Sequence, residues 1–207
     1  MKLCVIGGAG ARSAFLTKSL VKSTRDIRVD HIVLLDNDQQ KLKTYGEISR
    51  ELSRRLDPDL TFEVTSDARA ALTGVDYIIT TIRAGGDAGR LFDEQTCLAH
   101  GVLGQETTGA GGFAMAIRSV PTLVYYCTLA REVANPGHLI FNFTNPSGII
   151  TQALRSKGFD NVYGICDAPS GFIKQLEEIL EIPYGTLDIE CYGLNHLSWF
   201  RNAKVNG

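Results

Sequence analysis

The chain carries no strong charge of either sign. Its 207 residues sum to a formal charge of −2. Without a basic field, a nucleic-acid partner is not expected. No apolar run approaches the ~20 residues that a membrane-crossing helix needs, so no membrane partner is expected either. Cysteine is sparse and irregular. Cys4, Cys97, Cys127, Cys166 and Cys191 are odd in number and lack regular spacing. That pattern points to reduced thiols in a cytoplasm rather than to a disulfide framework. The first residues read as a strand with one lysine and no cleavage-like site, so no signal peptide is expected. Repeats and low-complexity segments are also absent.

What is present is 44% hydrophobic residues, enough for one large domain or one domain plus the start of another. The apolar runs alternate with helical periodicity. "KLCVIG", "HIVLLDND", "TFEVT", "VDYIITTI", "HLIFNFTN" and "NVYGIC" read as strands. "GARSAFLTKSLVKS" has a helical stripe through Phe15, Leu16, Leu20 and Val21. "QQKLKTYGEISRELSRRL" reads as a long charged amphipathic helix. "GGFAMAIRSVPTLVYYCTLAREV" is helical, with Pro121 expected to kink or restart it. "PSGIITQALRSK" and "SGFIKQLEEILEI" complete the helices. Continuous apolar strands separated by helices predict a parallel sheet covered on both faces. The expected class is α/β, a Rossmann-like doubly wound sheet over residues 1–184. Residues 185–207 read as two strands that begin a second, α+β domain. The chain ends in "VNG", a turn-like sequence, and reads as an N-terminal segment.

Three glycines follow the first strand. Gly8 and Gly10 begin a G-x-G-x-x-G pattern in which Ser13 replaces the third glycine. Such a loop lets backbone approach a pyrophosphate at a helix N-terminus. Gly7, Gly8, Gly10, Arg12 and Ser13 are therefore candidate cofactor contacts. Asp36 ends the second strand, where an acid takes the ribose hydroxyls of NAD and repels the extra phosphate of NADP. The plainer readings are a tight turn and a helix N-cap, a role that Asp38 can also fill.

Polar clusters fall at the carboxyl ends of the later strands, where ligands sit in such sheets. They carry Arg83 and Arg90, Glu106, Asn142 and Asn145, Cys166 and Asp167, and Asn195 and His196. Taken singly, Cys166 is a core residue, His196 a structural histidine and Asn145 a turn residue. Likewise Glu106 is a loop acid, Arg90 a surface cation and Asp167 an N-cap. The remaining cysteines read as core or incidental. His31, His100 and His138 read as surface residues that nothing pairs with.

Taken together, "VIGGAG", "TIRAGG", "GQETTGAGGF", "NFTNPSG", "GICDAP" and "GLNHLSWF" resemble glycoside hydrolase family 4, whose enzymes depart from the two-carboxylate mechanism. The resemblance implies an NAD- and metal-dependent glycosidase. It implies that Cys166 and His196 bind a divalent metal, usually Mn²⁺. Asp167 would be the proton donor to the leaving group, and Arg90 and Asn145 would grip the sugar. Glu106 would tune the catalytic base, a tyrosine in a later domain outside this chain. In that chemistry the sugar is oxidised at C3, loses its C2 proton, eliminates at C1, adds water and is re-reduced. The chain alone is therefore expected to have little or no hydrolase activity. A homo-oligomer, dimer or tetramer, is also implied.

Two details bear on the substrate. Relatives acting on phosphorylated sugars often carry a Ser-Tyr-Thr-Pro-like stretch where this chain reads "ARSAF". "GQETTGAGGFAMAIRSVP" and "GLNHLSW" resemble the 6-phospho-β-glucosidase branch, whereas the Cys166–Asp167 pair is commoner in the α-acting branch. The expected activity is hydrolysis of 6-phospho-β-glucosides. The alternatives are an α-acting 6-phospho-glycosidase, an α-galacturonidase, a lactate- or malate-like dehydrogenase, and an inactive NAD-binding fragment.

Overall fold

Leu3, Cys4, Val5 and Ile6 are all buried, as are Ile32 to Leu35. Strands apolar on both faces must lie inside a sheet covered on both sides. The computed structural model describes residues 1–205 and shows that sheet. Its strands are β1 (Lys2–Ile6), β2 (His31–Leu35), β3 (Thr61–Thr65), β4 (Tyr77–Thr80), β5 (Leu139–Asn142) and β6 (Val162–Gly164). All pairings are parallel, in the order β3-β2-β1-β4-β5-β6. This is the doubly wound order, which reverses between β1 and β4.

Alternate residues feed two cores, as the period of a strand requires. Leu3, Val5, Ile32 and Leu34 pack with Leu20 and Val21 of α1 (Ser13–Ile27). Cys4, Ile6, Val33 and Leu35 face the other way. There they meet Leu72 of α4 (Ala68–Leu72), Leu123 and Cys127 of α6 (Gly109–Val133), and Ile150 and Leu154 of α7 (Ser147–Ser156).

Several local expectations are revised. On α1 the buried face runs through Ser13, Thr17, Leu20, Val21 and Thr24, and Phe15 is 75% exposed. Two residues from both Ser13 and Thr17, Phe15 falls on the opposite side of a 3.6-residue helix. The charged helix runs from α2 (Gln39–Lys41) through a π-helical turn (Leu42–Gly46) into α3 (Glu47–Leu56). A Cβ on Gly46 would lie 2.5 Å from Cγ1 of Val64, so glycine lets the helix sit close on β3.

A helix the sequence did not announce, α5 (Gly86–Ala99), follows β4. Its glycine-rich start hides the helical pattern. α6 runs unbroken through Pro121, so the proline does not restart it. By length and composition α6 is apolar enough to cross a membrane, against the sequence reading. One face of it packs into the core, with Met115, Ser119, Leu123, Cys127 and Ala130 buried, while Phe113, Ile117 and Tyr125 are exposed.

β6 leads into α8 (Ala168–Ile179). The chain then forms an antiparallel hairpin, β7 (Leu187–Leu194) and β8 (Leu197–Val205), as its own two-stranded sheet. The turn-like end at Asn206 and Gly207 lies outside the described residues.

Candidate cofactor and metal site

The glycine loop divides its work. Gly7 has φ +83°, and a Cβ there would lie 2.6 Å from the Thr81 carbonyl oxygen. A Cβ on Gly8 would lie 2.9 Å from the Val5 carbonyl oxygen. Both amides donate to the Leu35 carbonyl, at 2.8 and 3.0 Å. Gly7 and Gly8 therefore satisfy the protein itself, and their N–H groups are not offered outward. A Cβ on Gly10, by contrast, would meet nothing within 4 Å. The N–H groups of Gly10, Ala11 and Arg12 have no partner among the described residues. Arg12 stands at the N-cap of α1 without a side-chain cap, no acid lies in the first turn, and Ser13 is buried. Open backbone, unpaired amides and the positive end of a helix dipole fit a bound phosphate group.

Asp36 lies beside this loop. Its carboxylate accepts the Ala9 N–H at 3.1 Å and the Asp38 N–H at 3.0 Å. It thus ties the end of β2 to the glycine loop and is not an N-cap. Asp38 is the cap of α2, accepting the Lys41 N–H at 3.0 Å.

Farther along the same sheet edge, the hairpin turn Asn195–His196 meets the end of β6. Sγ of Cys166 lies 3.6 Å from Nε2 of His196. One ion held ~2.3 Å from a thiolate sulfur and ~2.1 Å from an imidazole nitrogen separates them by about 3.6 Å at a near-tetrahedral angle. The donor pair therefore fits a divalent metal. No third His, Cys, Asp or Glu side chain joins the two among the described residues. Cys166 is half-buried and His196 exposed, so neither is a core residue. His196 has φ 60°, a left-handed conformation uncommon for a side-chain-bearing residue. Cys166 and Asn195, the neighbour of His196, line a cleft of ≈770 Å³ between β6 and α7.

Three contacts hold the hairpin in place. At its base, buried Glu177 on α8 accepts the Gly185 and Leu187 N–H groups at 2.8 and 2.9 Å. In the middle, Phe200 stacks on Phe172 of α8 with ring centroids 4.5 Å apart. At the tip, Oδ1 of Asn195 accepts the Ser147 N–H at 3.2 Å.

Asp167 occupies the N-cap position of α8, but its carboxylate makes no cap hydrogen bond. It is exposed and adjoins the metal-ligand candidate. Asn145 is half-buried, and its side chain has no hydrogen bond among the described residues. Asn142 is different: it is fully buried and internally used. It accepts Thr80 Oγ1 at 2.8 Å and donates to Thr151 Oγ1 at 3.1 Å. Asn142 is floor, not ligand.

Glu106 pairs with Arg83 and lies 3.6 Å from Nε of Arg90, which itself binds Glu94 at 2.6 Å. The two cations converge on one acid. Arg83, noted only in passing from sequence, is its main partner. Sequence reading missed Arg118 and Asp93 altogether. Arg118 on α6 grips nearly buried Asp93 on α5 and donates to the Ala84 carbonyl at 3.3 Å. It passes over Gly85 and Gly89, where a Cβ would approach its side chain to 3.0 and 3.4 Å. Nothing in the sequence spacing signals this bracket, because it joins two helices that meet only after folding.

Cys4 and Cys127 stay out of this chemistry. Burial pushes Cys4 and Cys127 up to about 12, so both remain protonated thiols at neutral pH. The histidines depart from expectation, for each has a neighbour: Nδ1 of His100 lies 2.9 Å from the Thr96 carbonyl oxygen and Nδ1 of His138 3.0 Å from that of Asn135. Nε2 of His31 lies 2.8 Å from the Glu63 carboxylate, off-line for a hydrogen bond.

A family model described as family 4 glycosyl hydrolase matches residues 2–182. The 6-phospho-beta-glucosidase BglT of Thermotoga maritima is 35% identical over 209 residues, covering 100% of this chain and 49% of that protein. A Thermotoga maritima 6-phospho-beta glucosidase, solved with NAD and glucose-6-phosphate, superposes with TM-score 0.90 at 34% identity. That alignment covers 100% of this chain and 50% of the other. A 6-phospho-alpha-glucosidase from gut microorganisms, solved with NAD and Mn²⁺, superposes with TM-score 0.93 at 31% identity, covering 99% and 47%. The chain spans about half the length of these relatives. These matches leave the dehydrogenase reading without support: the chain belongs to family 4 of the glycosyl hydrolases.

Proposed function

We propose that this chain is the NAD- and metal-binding part of a glycosidase acting on 6-phospho-β-glucosides. The observation that carries the reading is the Cys166–His196 pair at 3.6 Å on the same sheet edge as an open glycine loop. When bound, NAD⁺ would supply a hydride acceptor for sugar C3, and a divalent ion a Lewis acid for the oxygen there. Gly10, Ala11 and Arg12 offer three unpaired amides to the pyrophosphate. Asp36 keeps lone pairs for a ribose hydroxyl while holding the loop. Cys166 and His196 hold the metal. Asp167, free of any cap bond, donates a proton to the leaving-group oxygen. Asn145 and Arg90 orient the sugar. Glu106, held by Arg83, faces Arg90. Residues 185–207 would open a second unit that completes the site.

Relatives of both anomeric specificities are similar to this chain. The β assignment rests on the "GQETTGAGGF" and "GLNHLSW" stretches, and the α reading on Asp167 after Cys166. Five free thiols favour a reducing, cytoplasmic setting. Exposed apolar side chains on α5 and α6, among them Phe92, Phe113 and Ile117, favour a homo-oligomer. Calorimetric titration of the chain with NAD⁺ tests the cofactor half, and silence at millimolar ligand counts against it. For the whole protein, nitrophenyl 6-phosphoglucosides of both configurations are assayed with and without NAD⁺ and Mn²⁺. Hydrolysis that survives removal of NAD⁺ sinks the reading.

A further inference from the structure

The Cys166–His196 pair is assembled from two chain segments that share no secondary structure. Cys166 follows β6, and His196 sits at the tip of the β7–β8 hairpin. One residue touches both. Ser147 begins α7 and is buried. Its Oγ donates to the carbonyls of Asn142 at 3.1 Å and Ile165 at 3.4 Å, and Ile165 directly precedes Cys166. Its N–H donates to Oδ1 of Asn195 at 3.2 Å, and Asn195 directly precedes His196. Gly164 lets the two elements approach, since a Cβ there would lie 2.7 Å from Thr151 Oγ1 and 3.2 Å from Ser147 Oγ.

We infer that Asn195 is a positioning residue for metal binding, acting through Ser147 to hold His196 within reach of Cys166. The inference rests on the metal reading of that pair. The hairpin's ties to α8 lie at its base and middle, and apart from the Cys166–His196 contact itself the Asn195–Ser147 hydrogen bond holds the tip among the described residues. Removing an outer partner of a metal ligand costs 10- to 100-fold in affinity as a rule.

The test is a Co²⁺ titration of the reduced 207-residue chain, read by thiolate-to-cobalt charge-transfer absorbance. Wild type should develop the band, and Cys166→Ser should not. Asn195→Ala should need about tenfold more Co²⁺ or above. Asn195→Asp, which keeps the acceptor oxygen, should restore the wild-type titration. Thermal melts of both variants should stay close to wild type, because the bond joins only the hairpin tip to α7 and lies outside the two apolar cores. An Asn195→Ala titration that overlays wild type overturns the inference, and so does an Asn195→Asp that is as weak as Asn195→Ala. A wild-type chain with no band at all refutes the metal reading itself, and the positioning role with it.

Discussion

His196 reaches Cys166 across thirty residues of sequence, with Nε2 and Sγ 3.6 Å apart. Among the described residues neither side chain has another hydrogen-bond partner, apart from the Ala168 N–H that lies 3.4 Å from the sulfur. Replacing Cys166 with serine keeps the volume and removes the soft donor. We expect Cys166→Ser to change stability by no more than about 0.5 kcal/mol and to abolish metal activation. Mn²⁺ titration followed by electron paramagnetic resonance checks it, and unchanged Mn²⁺ affinity would refute the ligand role.

The glycine loop separates folding from binding. Gly7→Ala forces a side chain into the left-handed region, at about 1–2 kcal/mol, and into the Thr81 carbonyl. A lowered urea midpoint is expected. Gly10→Ala has open space around it. It should leave the urea midpoint in place and weaken NAD⁺ binding about tenfold by obstructing the approach of the pyrophosphate. Equal effects of the two variants on stability would contradict this division.

Asp167 makes no side-chain bond that folding depends on. Asp167→Asn should melt like wild type. In the whole protein it should lower kcat by about 10²–10⁴-fold on alkyl glycosides, where a general acid is needed. Nitrophenyl glycosides, whose leaving group needs little protonation, should lose far less. An equal loss on both substrate classes would point away from proton donation.

The Arg118–Asp93 bracket is asymmetric. The Asp93 side chain is 7% exposed and that of Arg118 30%. Arg118→Ala strands the more buried charge and should cost about 3 kcal/mol, near the low end for a broken buried pair. Asp93→Ala leaves an arginine that still reaches water and should cost less. Denaturant unfolding of both single variants and the double variant measures the coupling. Asp93→Ala proving the more damaging would reverse the burial argument.

Glu177 ties α8 to the base of the hairpin. Hydrogen bonds from the backbone N–H of Leu187, then those of Gly185 and Thr186, hold its carboxyl below the usual carboxylate range. A depressed folded pKa adds stability above the unfolded value of about 4.3 and loses it as pH falls through the lower folded value. The urea midpoint of wild type should therefore drop on acidification below about pH 4. Glu177→Gln should flatten that part of the profile, and an unchanged slope would remove Glu177 from the account.

The strand and helix alternation was legible because local period reports burial. Leu3 to Ile6 and Ile32 to Leu35 are apolar at every position, and only a sheet covered on both faces accommodates that. The helix at Gly86–Ala99 was not legible, because Gly85, Gly86 and Gly89 suppress the helical signal. Gly85 and Gly89 make room for Arg118, a partner that only folding supplies. Phe15 was misread for a related reason, since an apolar type does not name the side of the helix it faces.

By itself the sequence determined the α/β class, the place of the glycine loop after β1, and the family motifs at successive strand ends. These follow from local spacing, which the chain carries in one dimension. Only the tertiary structure decided how those residues are used. It spent the Gly7 and Gly8 amides on Leu35 and left those of Gly10 to Arg12 open. It sank Asn142 into the floor and left the Asn145 side chain without a hydrogen bond among the described residues. It closed the hairpin tip onto Ser147 and so brought His196 to Cys166. Sequence distance does not say where a chain returns. That is set by the sheet order and by the packing that holds each turn against its neighbour.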